Sequence, residues 1–153
     1  MTNCGTLGWI SDRRGYRYDP VDPLTGAPWP QMPAPLAAVA RAAAGEAGFE
    51  RFEPDVCLVN RYAPGARLTA HQDRDECDFA HPIVSLSLGL PATFLVYGER
   101  RAGRPQRLEL TSGDVLVFGG PARLWYHAVR DLADGEHPVT GRCRYNLTFR
   151  RAR

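Results

Sequence analysis

Lysine is missing from this chain: every one of its 19 basic residues is arginine. Codon bias in a GC-rich genome accounts for that, because Ala, Gly and Pro are abundant too. The functional alternative is that guanidinium forks serve the recognition of carboxylates and phosphates. The net charge of +2 is too small to point to a partner. Long apolar runs are also missing, and none approaches the ~20 residues of a membrane span. No membrane partner is therefore expected. The opening Met1-Thr2-Asn3-Cys4-Gly5 has no basic or apolar region of a secretory signal. No CxxC pair occurs among Cys4, Cys57, Cys77 and Cys143. Widely spaced cysteines in a chain without a signal read as reduced thiols, so the cytoplasm is the expected compartment. No repeat, linker or low-complexity tract interrupts the 153 residues. One domain over residues 1–153 is the economical expectation.

What is present divides into three stretches. Residues 1–35 carry prolines at 20, 23, 28, 30, 33 and 35, with Thr25-Gly26 as a turn. Proline fixes φ and removes a donor, so this stretch is expected to be irregular. Its aromatics, Trp9, Tyr16, Tyr18 and Trp29, suit a cover over the core. Residues 36–48, LAAVARAAAGEAG, predict the one helix, ended by Gly48. Leu36, Val39, Ala40 and Ala43 form its expected apolar stripe. Beyond residue 55, eight short β-branched and aromatic runs alternate with turn signals. They cover 56–62, 68–71, 83–90, 93–97, 107–110, 115–118, 124–129 and 142–150. That pattern predicts a β-sandwich or barrel.

His71-Gln72-Asp73 and the later His127 carry the first chemical signal. Residues two apart on an extended segment point the same way, so His71 and Asp73 can enter one cavity. His127, in Trp125-Tyr126-His127, can close the site from another strand. Two histidines and a carboxylate on one face of iron(II) leave positions open for a co-substrate and O₂. Taken alone, the pattern is common by chance, and zinc with a hydrolytic water is a rival. His81 and His137 each precede proline and read as turn residues.

The run Arg144-Tyr145-Asn146-Leu147-Thr148-Phe149-Arg150 carries the second signal. Alternation puts Arg142, Arg144, Asn146, Thr148 and Arg150 on one face. That face is either solvated or lines a small barrel and binds a buried dianion through charge-assisted bonds. A straight strand separates Arg144 from Arg150 by roughly 20 Å, so both reach one ligand only by leaning inward or bending. Asn60 and Tyr62 can add neutral hydrogen bonds. Metal triad and arginines together point to an oxygenase that uses 2-oxoglutarate.

Asn60-Arg61-Tyr62-Ala63-Pro64-Gly65, His71-Gln72-Asp73, Ser87-Leu88-Gly89-Leu90-Pro91, Gly113-Asp114 and Arg144–Arg150 occur in an order that is familiar. With Met1–Gly5 and Pro82–Ser85 they span nearly the whole chain, which resembles the AlkB family of Fe(II)- and 2-oxoglutarate-dependent dioxygenases. The resemblance implies a mainly β (α+β) fold: a double-stranded β-helix, or jelly roll, with one helix packed on the outside. It implies His71, Asp73 and His127 as iron ligands. Arg144 and Arg150 would pair with the two carboxylates of 2-oxoglutarate, with Asn60, Tyr62 and Asn146 as hydrogen-bonding partners. Trp9, Tyr16 and Tyr18 would belong to the substrate-binding cover formed by residues 1–35. The His71 ring would stack under a flipped base, Asp75 would face the base edge, and Arg101 would contact substrate. The implied activity is oxidative demethylation of 1-methyladenine and 3-methylcytosine in single- or double-stranded DNA, or in RNA. The methyl carbon is hydroxylated with O₂, releasing formaldehyde and succinate. Such lesions are cationic and cannot pair, which favours an acidic Asp75 and lowers the cost of base flipping. A monomer is expected. Related bacterial proteins carry a further N-terminal segment before the motif that begins here at Met1, which bears on lid closure and substrate affinity. The alternatives are a weakly active or non-catalytic nucleic-acid-binding domain and a dioxygenase acting on RNA or protein.

Overall fold

β-branched and aromatic runs punctuated by glycine turns make eleven strands in the computed structural model, which describes all residues 1–153. They are β1 (Thr2–Gly5), β2 (Gly8–Asp12), β3 (Gly15–Asp19), β4 (Val56–Tyr62), β5 (Leu68–His71), β6 (Ile83–Gly89), β7 (Ala92–Gly98), β8 (Gln106–Leu110), β9 (Val115–Phe118), β10 (Tyr126–Val129) and β11 (Arg144–Arg150). One sheet has the order β1-β4-β11-β6-β9 and a second the order β5-β10-β7-β8. β2 and β3 form a separate hairpin. All pairings are antiparallel. No strand is shared between the two larger sheets, so they do not close into a barrel, contrary to the small barrel entertained from sequence.

Each of the eight runs expected beyond residue 55 is a strand. The N-terminal stretch is more regular than its prolines suggest. The first proline is Pro20, so residues 2–19 keep every amide donor, and β1 to β3 lie there. The helix α1 spans Ala34–Glu46, two residues earlier than expected, because a proline in the first turn has no helical partner to lose. Gly48 sits at φ +89° just past the C-cap. The Gly48 amide donates to the Gly45 carbonyl at 2.9 Å and the Phe49 amide to that of Ala44 at 2.8 Å, the paired bonds of a Schellman ending.

α1 packs Ala40 and Ala44 onto the outer face of the five-stranded sheet, against Phe52, Val84, Leu86, Leu147 and Phe149. Small side chains let the helix approach closely. Val39, placed on the apolar stripe from sequence, is exposed instead, while Leu36 and Ala43 pack at the margin. β11 is the central strand of this sheet. Its odd residues Tyr145, Leu147 and Phe149 join the helix-side core. Its even residues point the other way, into the space between the sheets. There they are buried, so the strand has no solvated face.

Candidate metal centre and co-substrate cavity

Strand register assembles the site. His71 of β5 and His127 of β10 are direct cross-strand partners. Asp73 follows two residues after β5 ends. The metal-ligating atoms of His71, Asp73 and His127 lie within 4.8 Å of one another. Nε2 of His71 is 3.7 Å from Asp73 Oδ1, and Nε2 of His127 is 3.7 Å from Asp73 Oδ2. Both rings are oriented through their other nitrogen: His71 Nδ1 is 2.9 Å from the Thr69 carbonyl oxygen and His127 Nδ1 is 3.0 Å from that of Trp125. A carbonyl can only accept, so Nδ1 carries the proton and Nε2 keeps a lone pair for a metal.

Burial holds His127 below the ordinary imidazole range, reinforced by His71 and opposed by Asp73. Phe94 and Phe118 pack around its ring. Burial alone would raise the Asp73 carboxyl, but Arg150, His127 and His71 outweigh it and hold it below the usual range. The Arg150 Nη2 donates to Asp73 Oδ1 at 2.7 Å.

The triad stands in a cavity of about 580 Å³ that both sheets line. β4 and β11 pair Asn146 with Asn60 and Arg144 with Tyr62, which brings four of the five expected co-substrate residues side by side. Asn146 Nδ2 donates to Ser85 Oγ at 2.7 Å, and Thr148 Oγ1 to Asn146 Oδ1 at 2.9 Å. Arg144 is 1% exposed and lies beneath this wall, its guanidinium 5.4 Å from the centre of the Tyr62 ring. Its only hydrogen bond runs from Nη2 to Ser87 Oγ at 3.0 Å. Burial holds this guanidinium below its ordinary value. Nε and Nη1 of Arg144, and Nε of Arg150, are buried without a partner. Buried cationic donors with nothing to donate to are rare in finished structures. They fit a ligand with a carboxylate at each end, and the His₂-carboxylate set fits a divalent metal with open positions.

The mouth of the cavity carries the aromatic cover. Trp9 and Tyr16 stack at 5.3 Å with planes 15° apart. Trp9 Nε1 donates to Asp75 Oδ2 at 2.8 Å. Asp75 and Arg101 also line the cavity, as does half-exposed His71. Asn3, not singled out from sequence, is 3% exposed and fixes the Trp9 backbone with two hydrogen bonds of 3.1 Å. Tyr18 is the cross-strand partner of Trp9. Unlike Tyr16 it does not line the cavity and is buried with Leu7, Val56 and Ala152. Its hydroxyl donates to Glu76 Oε1 at 2.5 Å. Glu76 and Arg123, both buried, were not legible as site residues because they sit in loops with no periodicity. Ser85 and Thr148 were readable in principle from strand alternation. His81 and His137 are not part of the metal cluster, consistent with turn positions.

A His₂-carboxylate triad in a polar, arginine-bearing cavity between antiparallel sheets defines a mononuclear metal oxygenase of the 2-oxoglutarate type. Residues 1–150 match the family model of the 2OG-Fe(II) oxygenase superfamily. The alpha-ketoglutarate-dependent dioxygenase AlkB of Salmonella typhimurium is 57% identical over 152 residues, covering 99% of this chain and 70% of that protein. The DNA N(6)-methyladenine demethylase ALKBH1D of Arabidopsis thaliana is 44% identical over 113 residues, 65% of this chain and 25% of its own. The solved structure of OsALKBH1 matches with a TM-score of 0.82 at 31% identity, over 95% of this chain and 75% of that one. The chain belongs to the AlkB family of Fe(II)/2-oxoglutarate-dependent dioxygenases. No helix is long and apolar enough to cross a membrane.

Proposed function

We propose that this enzyme removes N-methyl groups from bases of DNA, and of RNA, with 1-methyladenine and 3-methylcytosine as substrates. The observation that carries the reading is the triad at one cavity with unpartnered arginine donors behind it and a stacked aromatic cover in front. The relatives' names, a dioxygenase AlkB and a DNA demethylase, support the substrate class. His71, Asp73 and His127 would hold Fe(II). When bound, the iron supplies O₂ activation coupled to decarboxylation of 2-oxoglutarate to succinate. Arg150, next to Asp73, takes the carboxylate nearer the metal. Arg144, six residues along β11, takes the far one, and Asn60, Tyr62 and Asn146 hydrogen-bond between. Trp9 and Tyr16 cover the base from one side and the His71 ring supports it from the other. Asp75 faces the cationic base edge, and Arg101 contacts the substrate.

The wider architecture follows the same reading. From β4 to β11 the chain passes back and forth between the two sheets, which supports a double-stranded β-helix, or jelly roll. Residues 1–153 act as one catalytic domain with 1–35 as its substrate cover. The four cysteines are free, in keeping with work in the cytoplasm, where we take the protein to act as a monomer. The test is mass spectrometry of a methylated oligonucleotide incubated with protein, iron, ascorbate and 2-oxoglutarate. Loss of the methyl mass with formaldehyde and succinate in equal amounts is expected. Succinate formation with the methyl group retained would overturn the substrate assignment.

A further inference from the structure

Behind the metal site lies a closed network of four charges and one phenol, in which Glu76, Arg123 and Tyr18 have no part in the chemistry so far. The Glu76 side chain is fully buried. Its Oε2 accepts from Arg123 Nη2 at 2.9 Å, and its Oε1 accepts from the Tyr18 hydroxyl at 2.5 Å and from Arg150 Nη1 at 3.3 Å. The same Arg150 Nη1 donates to the Tyr18 oxygen at 2.8 Å. Arg123, 3% exposed, donates from Nη1 to the Asp73 carbonyl at 2.7 Å and from Nε to the His81 carbonyl at 2.9 Å. Arg123, Arg150, Glu76 and Asp73 sum to zero charge, so the cluster is electrically closed before any ligand arrives.

The two ends of Arg150 are held differently. Nη1 is held by Tyr18 and Glu76, which lie away from the metal ligands. Nη2 is held only by Asp73. A metal on the Asp73 carboxylate would compete with Nη2 for the same oxygens. A guanidinium anchored only there would be free to turn; one clamped at Nη1 keeps Nη2 aimed into the cavity. Arg123 does the matching task for the other partner by tying the Asp73 backbone to the same Glu76.

We propose that Glu76, with Tyr18 and Arg123, is a positioning frame that holds Arg150 beside Asp73 in a fixed register, so that Arg150 Nη2 stays preset for a co-substrate carboxylate when a metal shares the Asp73 carboxylate. The inference rests on the assignment of Arg150 to 2-oxoglutarate. It makes Tyr18, expected from sequence beside the substrate, a residue of the co-substrate side. Preorganisation of this kind acts on affinity more than on turnover at saturation.

The experiment titrates 2-oxoglutarate calorimetrically into the full chain loaded with Mn(II), without turnover. Tyr18→Phe keeps the packed ring and removes one hydroxyl; Glu76→Gln keeps an acceptor and removes the charge. Each should raise the dissociation constant by roughly three- to tenfold, less than the loss of a direct hydrogen bond to a charged group, because neither residue touches the ligand. In the Fe(II) enzyme, the KM for 2-oxoglutarate should rise alike with kcat at saturation within about twofold. Arg150→Gln is run beside them. If it weakens binding while Tyr18→Phe and a folded Glu76→Gln do not, the frame is overturned and the Arg150 assignment stands. If Arg150→Gln leaves affinity unchanged, the assignment itself fails. Should Glu76→Gln not fold, Tyr18→Phe decides. A lowered melting temperature with unchanged affinity in Tyr18→Phe makes the network merely structural and overturns the proposal.

Discussion

Replacing Arg144 with Met should weaken 2-oxoglutarate strongly while changing the stability of the protein without 2-oxoglutarate little. In the ligand-free structure this guanidinium is nearly inaccessible, has two unpartnered donor nitrogens and makes one hydrogen bond. Burying a charge costs several kcal/mol after relaxation. Against that stand a hydrogen bond from a charged donor, about 1.5–3 kcal/mol, and a contact with the Tyr62 ring worth up to about 2 kcal/mol when desolvated. These terms nearly cancel, and Met fills much of the same volume, so the melting temperature should fall by no more than roughly 2–4 °C, the shift for about 1 kcal/mol in a chain this long. With ligand the balance changes sign, because the unpartnered donors then face a carboxylate. Losing one charge-assisted pair costs roughly 1.5–3 kcal/mol, which is about 10- to 150-fold in affinity. Thermal melts of the Mn(II) form with and without 2-oxoglutarate measure both quantities. The variant should match the wild type without ligand and show a smaller ligand-induced rise. A ligand-free protein that melts many degrees lower, with unchanged affinity, would show that Arg144 is a structural cation and refute the reasoning.

The strands and the metal triad were legible for physical reasons that the rest of the site lacks. Period-two alternation in Ile83–Gly89 and Arg144–Arg150 separates a helix-side face from a cavity-side face, and the structure keeps that division. Alternation cannot say what covers the polar face. Arg144 and Arg150 read equally well as solvated, and only the second sheet buries them. The β2–β3 hairpin was hidden because proline content was averaged over 1–35 although its prolines begin at 20. The burial of Tyr18 was not legible because an aromatic in a cover segment says nothing of what packs over it. Tyr16 and Tyr18, two apart, should share a face of a flat strand, yet Tyr16 is 67% exposed and Tyr18 7%. Glu76 and Arg123 lie in loops on either side of β6–β9, and their meeting is a product of topology alone.

The remaining predictions test separate links from residue to function. Asp73→Asn keeps an acceptor for Arg150 and should leave the fold intact while abolishing iron-dependent turnover; retained turnover would remove Asp73 from the metal site. Gly89→Ala should lower the melting temperature by roughly 4–8 °C, for about 2 kcal/mol, because φ is +90° and a Cβ would collide with the Cys143 carbonyl and Thr140; an unchanged melt would refute it. Cys57, the cross-strand partner of Cys4 on β4, lowers the Cys4 thiol to about 7, against the opposing effect of burial. The thiolate is the reactive form, so alkylation of Cys4 should rise as pH passes through about 7, while buried Cys57, whose thiol is pushed up, stays unmodified; peptide mass spectrometry showing a pH-independent Cys4 would contradict this. The last concerns the cover. Trp9 rests at the edge of the Leu7–Tyr18–Val56–Ala152 cluster, stacks on Tyr16 and donates to Asp75, so it belongs to the cavity mouth and not to the co-substrate wall. A base stacked on an aromatic ring gains about 1–3 kcal/mol. Trp9→Ala should therefore lower kcat/KM for a methylated oligonucleotide by roughly 5- to 150-fold. Succinate formation without nucleic acid depends on the metal and the arginines, none of which Trp9 touches, and should stay near the wild-type rate. If both activities fall together with the melting temperature, Trp9 is holding the hairpin in place and the stacking role is wrong.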